Sequence, residues 1–120
     1  MKILVINPGS TSTKLAIYDN DKVVWNGGAH LPANELAKFH RIIDQYEFRR
    51  DFILKKLEEE KIPLQFDAVI GRGGLLCPLK SGVYAVNEKM KYDLLNATHE
   101  HACNLGALIA DEIAKKCGCP

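Results

Sequence analysis

The chain has 120 residues, 47% of them hydrophobic and 26% charged, which suits one globular α/β-sized domain that folds without disulfides. Sixteen Lys and Arg against fifteen Asp and Glu leave a net charge of +1, which argues against a nucleic-acid grip driven by bulk charge and against a polybasic membrane anchor. No stretch approaches the roughly 20 apolar residues that a membrane span requires.

The first predicted element is the apolar run Lys2–Ile6, a strand expected to be buried on both faces. It is too brief for a secretory signal, so a cytoplasmic location is expected, with Cys77, Cys103, Cys117 and Cys119 as reduced thiols. The turn Asn7-Pro8-Gly9-Ser10-Thr11-Ser12-Thr13 leads to a second strand over Lys14–Tyr18. After the polar turn Asp19-Asn20-Asp21, a third strand runs from Lys22 through Trp25 toward Ala29. Short turns between these three predict an antiparallel meander.

The polar stretch from His30 to Arg41 predicts no element. Asp44-Gln45-Tyr46-Glu47 reads as a capping box with Asp44 as N-cap. The helix it opens carries Tyr46, Ile53, Leu54 and Leu57 on one face, with Arg49, Lys56 and Glu59 expected in solvent, and stops at Ile62-Pro63. A short strand over Asp67–Ile70 delivers Gly71-Arg72-Gly73-Gly74 at its end, and Val83–Val86 is expected as a minor strand. Asn87 caps a helix through Leu95, and Leu105, Leu108, Ile109 and Ile113 space a final helix closed by Gly118. This β-β-β-α-β-α-α order predicts a mixed sheet in an α/β layer fold. An alternating fold would continue with a strand, so the end at Cys119-Pro120 is expected to be a cut.

The strongest chemical signal is Asn7-Pro8-Gly9-Ser10-Thr11-Ser12-Thr13-Lys14. Phosphate needs backbone N–H donors, hydroxyls and a cation close together. Gly9 lets the backbone approach an anion, Ser10, Thr11, Ser12 and Thr13 offer four hydroxyls, and Lys14 offers a compact charge, with alternation putting Ser12 and Lys14 on one side of the second strand and Thr13 on the other. Asn7 offers a neutral carbonyl oxygen suited to a hydrated Mg²⁺. The alternative is a plain polar turn. The Walker pattern G-x-x-x-x-G-K-[ST] is absent and no helix follows the loop. The second signal is Arg72 between glycines at a strand's C-terminal end, where ligands of open α/β sheets gather and where a guanidinium can face an oxyanion with both prongs; its alternative is a solvated glycine turn. His99-Glu100-His101 is a poor metal pattern on a helix, and one of its histidines is expected to hydrogen-bond near the start of the last helix. Cys117-Gly118-Cys119 has no spaced partner pair for zinc.

The opening Met1–Lys14 closely resembles that of the acetate and butyrate kinases, within the actin-like ATPase superfamily. Gly71-Arg72-Gly73-Gly74-Leu75-Leu76 with Pro78, Tyr84-x-Val86-Asn87, His101-Ala102-Cys103-Asn104-Leu105-Gly106-Ala107 and Asp44-Gln45-Tyr46-Glu47-Phe48-Arg49 resemble the butyrate branch more than the acetate branch. The resemblance implies a ribonuclease-H-like domain over residues 1–120, the truncated first of two domains flanking a cleft. It implies phosphoryl transfer between ATP and a short-chain carboxylate, giving ADP and an acyl phosphate with Mg²⁺. By resemblance Asn7 lies near the Mg²⁺–phosphate assembly, Ser10, Ser12 and Lys14 near the phosphates, and Arg72 at the carboxylate. Homo-oligomerisation of the full-length form and inactivity of these residues alone belong to the same expectation. In the acetate branch a histidine stands four positions before the Asn-Leu pair; here Glu100 holds that spacing and His101 is adjacent. Two other readings stand beside this one, a non-catalytic phosphate- or nucleotide-binding module with the same half-fold and a sugar or glycerol kinase relative.

Overall fold

The computed structural model describes residues 1–120. The chain forms β1 (Lys2–Pro8), β2 (Ser12–Asp19), β3 (Lys22–His30), a single-turn α1 (Ala33–Leu36), a 3-10 turn over Ile42–Gln45, α2 (Tyr46–Glu59), β4 (Ala68–Gly71), α3 (Glu88–Leu95) and α4 (Asn104–Cys117). The sheet order is β3-β2-β1-β4, antiparallel within the meander and parallel between β1 and β4. Parallel neighbours need a crossover, and here it runs through α1 and α2. The architecture is a mixed α/β sheet, as the order of apolar runs predicts.

Side-chain alternation decides which face of the sheet is covered. Leu4 and Ile6 of β1, Leu15 and Ile17 of β2, and Val69 of β4 fall on one face and close against Ile53 and Leu57 of α2 and Leu105, Ile109 and Ile113 of α4. The opposite face carries Ile3, Val5 and Asn7, each only partly buried, and the exposed Lys14. The expectation that β1 is buried on both faces is therefore corrected, because the helices stack on one face alone.

Two further expectations change. Asp44 is not the N-cap of α2. It lies at the third position of the 3-10 turn, where its carboxylate accepts from the Arg41 N–H at 3.2 Å, and Glu47 is exposed. The cause is that the 3-10 turn runs straight into α2 and supplies its first backbone acceptors. Val83–Val86 forms no strand; Val83 is 88% exposed and has no strand partner. The outer edge of β4 instead gives a bond from the Val69 N–H to the Pro120 carbonyl, at 2.8 Å. The remaining ends follow their local signals. Asn87 Oδ1 accepts from the Met90 N–H at 2.8 Å, and Gly118 takes a left-handed φ of 68° after α4. No helix is long and apolar enough to cross a membrane.

Two contacts lock the helical layer. Gly71 of β4 and Gly106 of α4 lie against each other so closely that a Cβ on Gly71 would strike the Gly106 carbonyl, and one on Gly106 would strike the Arg72 carbonyl. Helix α3 is tied to α4 through Lys91, which reaches Asp111 at 3.1 Å, while Lys115 reaches the same carboxylate at 2.8 Å. Burial alone raises the Asp111 pKa, but its bonds to Lys115 and Lys91 outweigh burial and hold it below the ordinary carboxylate value.

Gly71→Ala should destabilise the fold by about 1–3 kcal/mol, because the added methyl meets backbone that cannot step aside; urea unfolding checks it. Because the folded pKa of Asp111 lies below its unfolded value, its stabilisation is present at neutral pH and lost as pH falls below about 4. Urea titrations between neutral and acid pH should therefore show a steeper loss in the parent chain than in Asp111→Asn.

Candidate functional site

The predicted hydroxyl loop joins β1 to β2, and its shape is set from beneath. Arg49 of α2 is fully buried, and its guanidinium bonds Gln45 Oε1 at 2.9 Å, the Ser10 carbonyl at 2.9 Å, the Ser12 carbonyl at 3.3 Å and Thr13 Oγ1 at 3.5 Å. The Gly9 N–H also donates to the Ser12 carbonyl at 2.7 Å, and the Leu31 N–H donates to the Thr11 carbonyl at 2.8 Å. The carbonyls of residues 10, 11 and 12 are thus all engaged by protein donors. The N–H groups of Ser10 and Thr11 take part in none of the chain's hydrogen bonds. In a trans peptide the N–H points opposite to the C=O, so holding the Ser10 carbonyl toward α2 turns the Thr11 N–H away from it. Ser10 and Thr11 are exposed and Ser12 is partly so, leaving hydroxyls and free N–H donors outward.

Sheet register brings the other candidates to that side. Asn7 pairs directly with Lys14 across β1 and β2, and Thr13 is buried while Ser12 and Lys14 fall on the helix-free face, as alternation predicts. On the other side of β1, Ile6 pairs with Gly71. The Arg72 N–H donates to the Ile6 carbonyl at 2.9 Å, extending that register by one step and setting Arg72 beside Asn7. Arg72, just past the end of β4, Asn7 of β1 and Lys14 of β2 therefore form one backbone row. With neighbouring strands about 4.8 Å apart, the backbones of Arg72 and Lys14 lie roughly 10 Å from each other. Gly28 is opposite Lys14 on β3 and adds no side chain to the row. Arg72 and Lys14 are both exposed. Asn7 thus lies between the backbones of two exposed cationic residues, an arrangement suited to a multiply charged anion.

Beyond the row, the segment from residue 72 to residue 87 has no regular structure and is anchored by α4. Asn104, buried at the first turn of that helix, accepts from the Leu75 N–H at 2.7 Å through Oδ1 and donates from Nδ2 to the His99 carbonyl at 3.2 Å. Together with the Gly71–Gly106 contact, this holds the Arg72 loop at the end of β4. His101 Nδ1 accepts from the Cys103 N–H at 3.1 Å, the predicted use of a histidine near this helix. Glu100 takes a structural part, bonding Arg41 Nε at 2.8 Å. No group of three or more His, Cys, Asp or Glu side chains gathers to hold a metal ion, and all four cysteines are free.

Two clefts of about 870 and 770 Å³ open elsewhere, one between α3 and α4 beside Tyr46 and one beneath the segment 73–86. Neither is lined by Asn7, Ser10, Ser12, Lys14 or Arg72. In the first, Tyr46 donates to Glu112, and burial together with that carboxylate pushes its phenol pKa far above the ordinary value.

Arg49 is the residue that sequence reasoning set in the wrong place. Its expected position in solvent is corrected to full burial, and burial draws its pKa down. A signal was present: Gln45, Arg49, Ile53 and Leu57 recur at four-residue spacing, and all four are buried.

No family model matches the chain. Comparison with curated proteins finds close relatives along its whole length. It is 64% identical over 120 residues to a probable butyrate kinase of Phocaeicola vulgatus, covering 100% of this chain and 34% of that protein. It is 56% identical over 114 residues to a probable butyrate kinase of Bacteroides thetaiotaomicron, covering 95% and 32%. It is 48% identical over 121 residues to butyrate kinase 1 of Clostridium acetobutylicum, covering 99% and 34%. The chain thus spans about a third of the length of the curated relatives it matches.

Asn104→Leu should cost about 1–3 kcal/mol, since it strands the Leu75 N–H and the His99 carbonyl. Amide hydrogen exchange at Leu75 should speed up in this variant while β1 and β2 stay protected.

Proposed function

We propose, from the premise that the chain belongs to the butyrate kinase family, that it is the N-terminal part of an acyl kinase acting on butyrate or a related short-chain carboxylate. The reading takes the mixed sheet as the ribonuclease-H-like half of a two-domain enzyme in the cytoplasm that forms a homo-oligomer at full length. The reaction moves the γ-phosphoryl group of ATP to a carboxylate oxygen. A P–O bond to the acyl oxygen forms, the P–O bond to the β-phosphate breaks, and ADP leaves.

The observation that carries this reading is the backbone row Arg72–Asn7–Lys14, with Arg72 and Lys14 exposed and the hydroxyl loop at its end. Phosphoryl transfer asks a protein mainly for positioning and for positive charge around spread-out negative charge. In this reading Lys14 and the outward donors of Ser10, Thr11 and Ser12 bind the phosphates, and Arg72 grips the carboxylate or acyl phosphate. A cation and anion about 4 Å apart at an effective dielectric near 20 attract by about 4 kcal/mol before desolvation. The Asn7 side chain makes no protein hydrogen bond and stands between the two cations, which suits a neutral oxygen toward Mg²⁺ that keeps several waters and takes its other ligands from phosphate. When bound, Mg²⁺ neutralises charge on the transferring phosphates.

In the full gene product, acyl hydroxamate formation from butyrate and ATP should fall on the order of 10³-fold in Arg72→Ala, with little change in melting temperature because Arg72 is exposed. Arg72→Lys should also be impaired, since the planar fork is lost. A near-normal kcat in Arg72→Ala would refute its role. Residues 1–120 alone should give no turnover. Tight ADP binding without turnover by the full gene product would favour the non-catalytic module, and phosphorylation of polyols rather than acids would favour the sugar kinase relative.

A further inference from the structure

Arg49 is a fully buried cation whose four hydrogen bonds all end on neutral oxygens. It forms none of the chain's salt bridges, whereas Arg41 and Arg50 each meet a carboxylate. A buried guanidinium without a counter-ion costs free energy unless something nearby returns it. Two of its bonds reach the carbonyls of the hydroxyl loop, at Ser10 and Ser12. Those carbonyls face α2, and the Thr11 N–H and the Ser10 and Thr11 side chains face the other way.

We propose that Arg49 is the positioning residue of the anion site: it draws the loop's carbonyls beneath the surface, exposes the loop's donors, and supplies a charge that only a bound anion neutralises. This inference rests on the reading of the loop as a phosphate site. It goes beyond that reading in assigning a third cation, behind the loop and out of contact with ligand. The free loop carries the cost of the uncompensated charge, and anion binding relieves it, so part of the binding free energy is stored in the fold. Arg49 does not touch the reacting atoms. It acts through the backbone of Ser10–Thr13.

The test uses the full gene product, with inorganic phosphate and ADP as titrants in calorimetry and circular dichroism as the control for folding. Arg49→Met keeps most of the length and removes both charge and fork. Arg49→Lys keeps the charge and gives up the fork. Arg49→Met should weaken ADP and phosphate binding on the order of 10²-fold, the scale of an ångström-sized misplacement. Arg49→Lys should fall between Arg49→Met and the parent. KM for nucleotide should rise while KM for the carboxylate stays unchanged, a split that general loosening of the fold does not produce. Folded variants that bind both titrants as the parent does would overturn the proposal and leave the phosphate reading standing. A parent protein that binds neither titrant would overturn the phosphate reading, and the role of Arg49 with it. Failure of both variants to fold would assign Arg49 a purely structural role and overturn the proposal.

Discussion

One buried guanidinium ties the helical layer to the loop proposed as the phosphate site. Arg49 reaches from α2 into the β1–β2 junction and engages Ser10, Ser12 and Thr13 from beneath. Desolvating such a charge costs several kcal/mol. Hydrogen bonds to a charged group return about 1.5–3 kcal/mol each, so the four of them offset part of that cost, and only while the loop keeps its shape. The same bonds orient the loop. Its carbonyls turn inward toward the cation, and its free N–H groups and hydroxyls are left on the outside.

A second constraint acts at the far end of the row. Gly71 and Gly106 let the start of α4 lie against the end of β4 with no side chain between them. Asn104, two residues before Gly106, then reaches the Leu75 N–H. Arg72 leaves the sheet in register with Asn7 because β4 is parallel to β1 and because α4 pins the segment that follows. The two cations are thus set by different devices, Lys14 by antiparallel pairing and Arg72 by a parallel strand and a helix. Both devices work on the backbone, and both side chains remain exposed.

The arrangement also separates the packed face of the sheet from the face that carries the candidate binding residues. The covered face of the sheet holds Leu4, Ile6, Leu15 and Ile17 against α2 and α4, and the opposite face holds Asn7, Ser12 and Lys14. Successive residues of one strand serve the two purposes in turn, so a one-residue slip would exchange them. The Gly71–Gly106 contact and the Arg49 bonds are two devices that oppose such a slip, at opposite ends of the row.

Local signals in the sequence determined the four strands of the sheet, the caps at Asn87 and Gly118 and the α/β order, because each depends on nearest neighbours and side-chain alternation. Alternation alone also put Ser12 and Lys14 on one side and Thr13 on the other. Tertiary structure decided the rest. The apolar run of β1 does not reveal that helices cover a single face, and Val83–Val86 cannot report that no strand lies ready to pair with it. The charge of Arg49 suggested solvent, yet burial followed, because the carbonyls that satisfy it come from a loop more than thirty residues earlier. The closeness of Arg72 to Asn7 likewise exists only once β4 pairs with β1. Contacts between distant segments have no local trace, since what satisfies a group in the folded chain lies outside its neighbourhood in sequence.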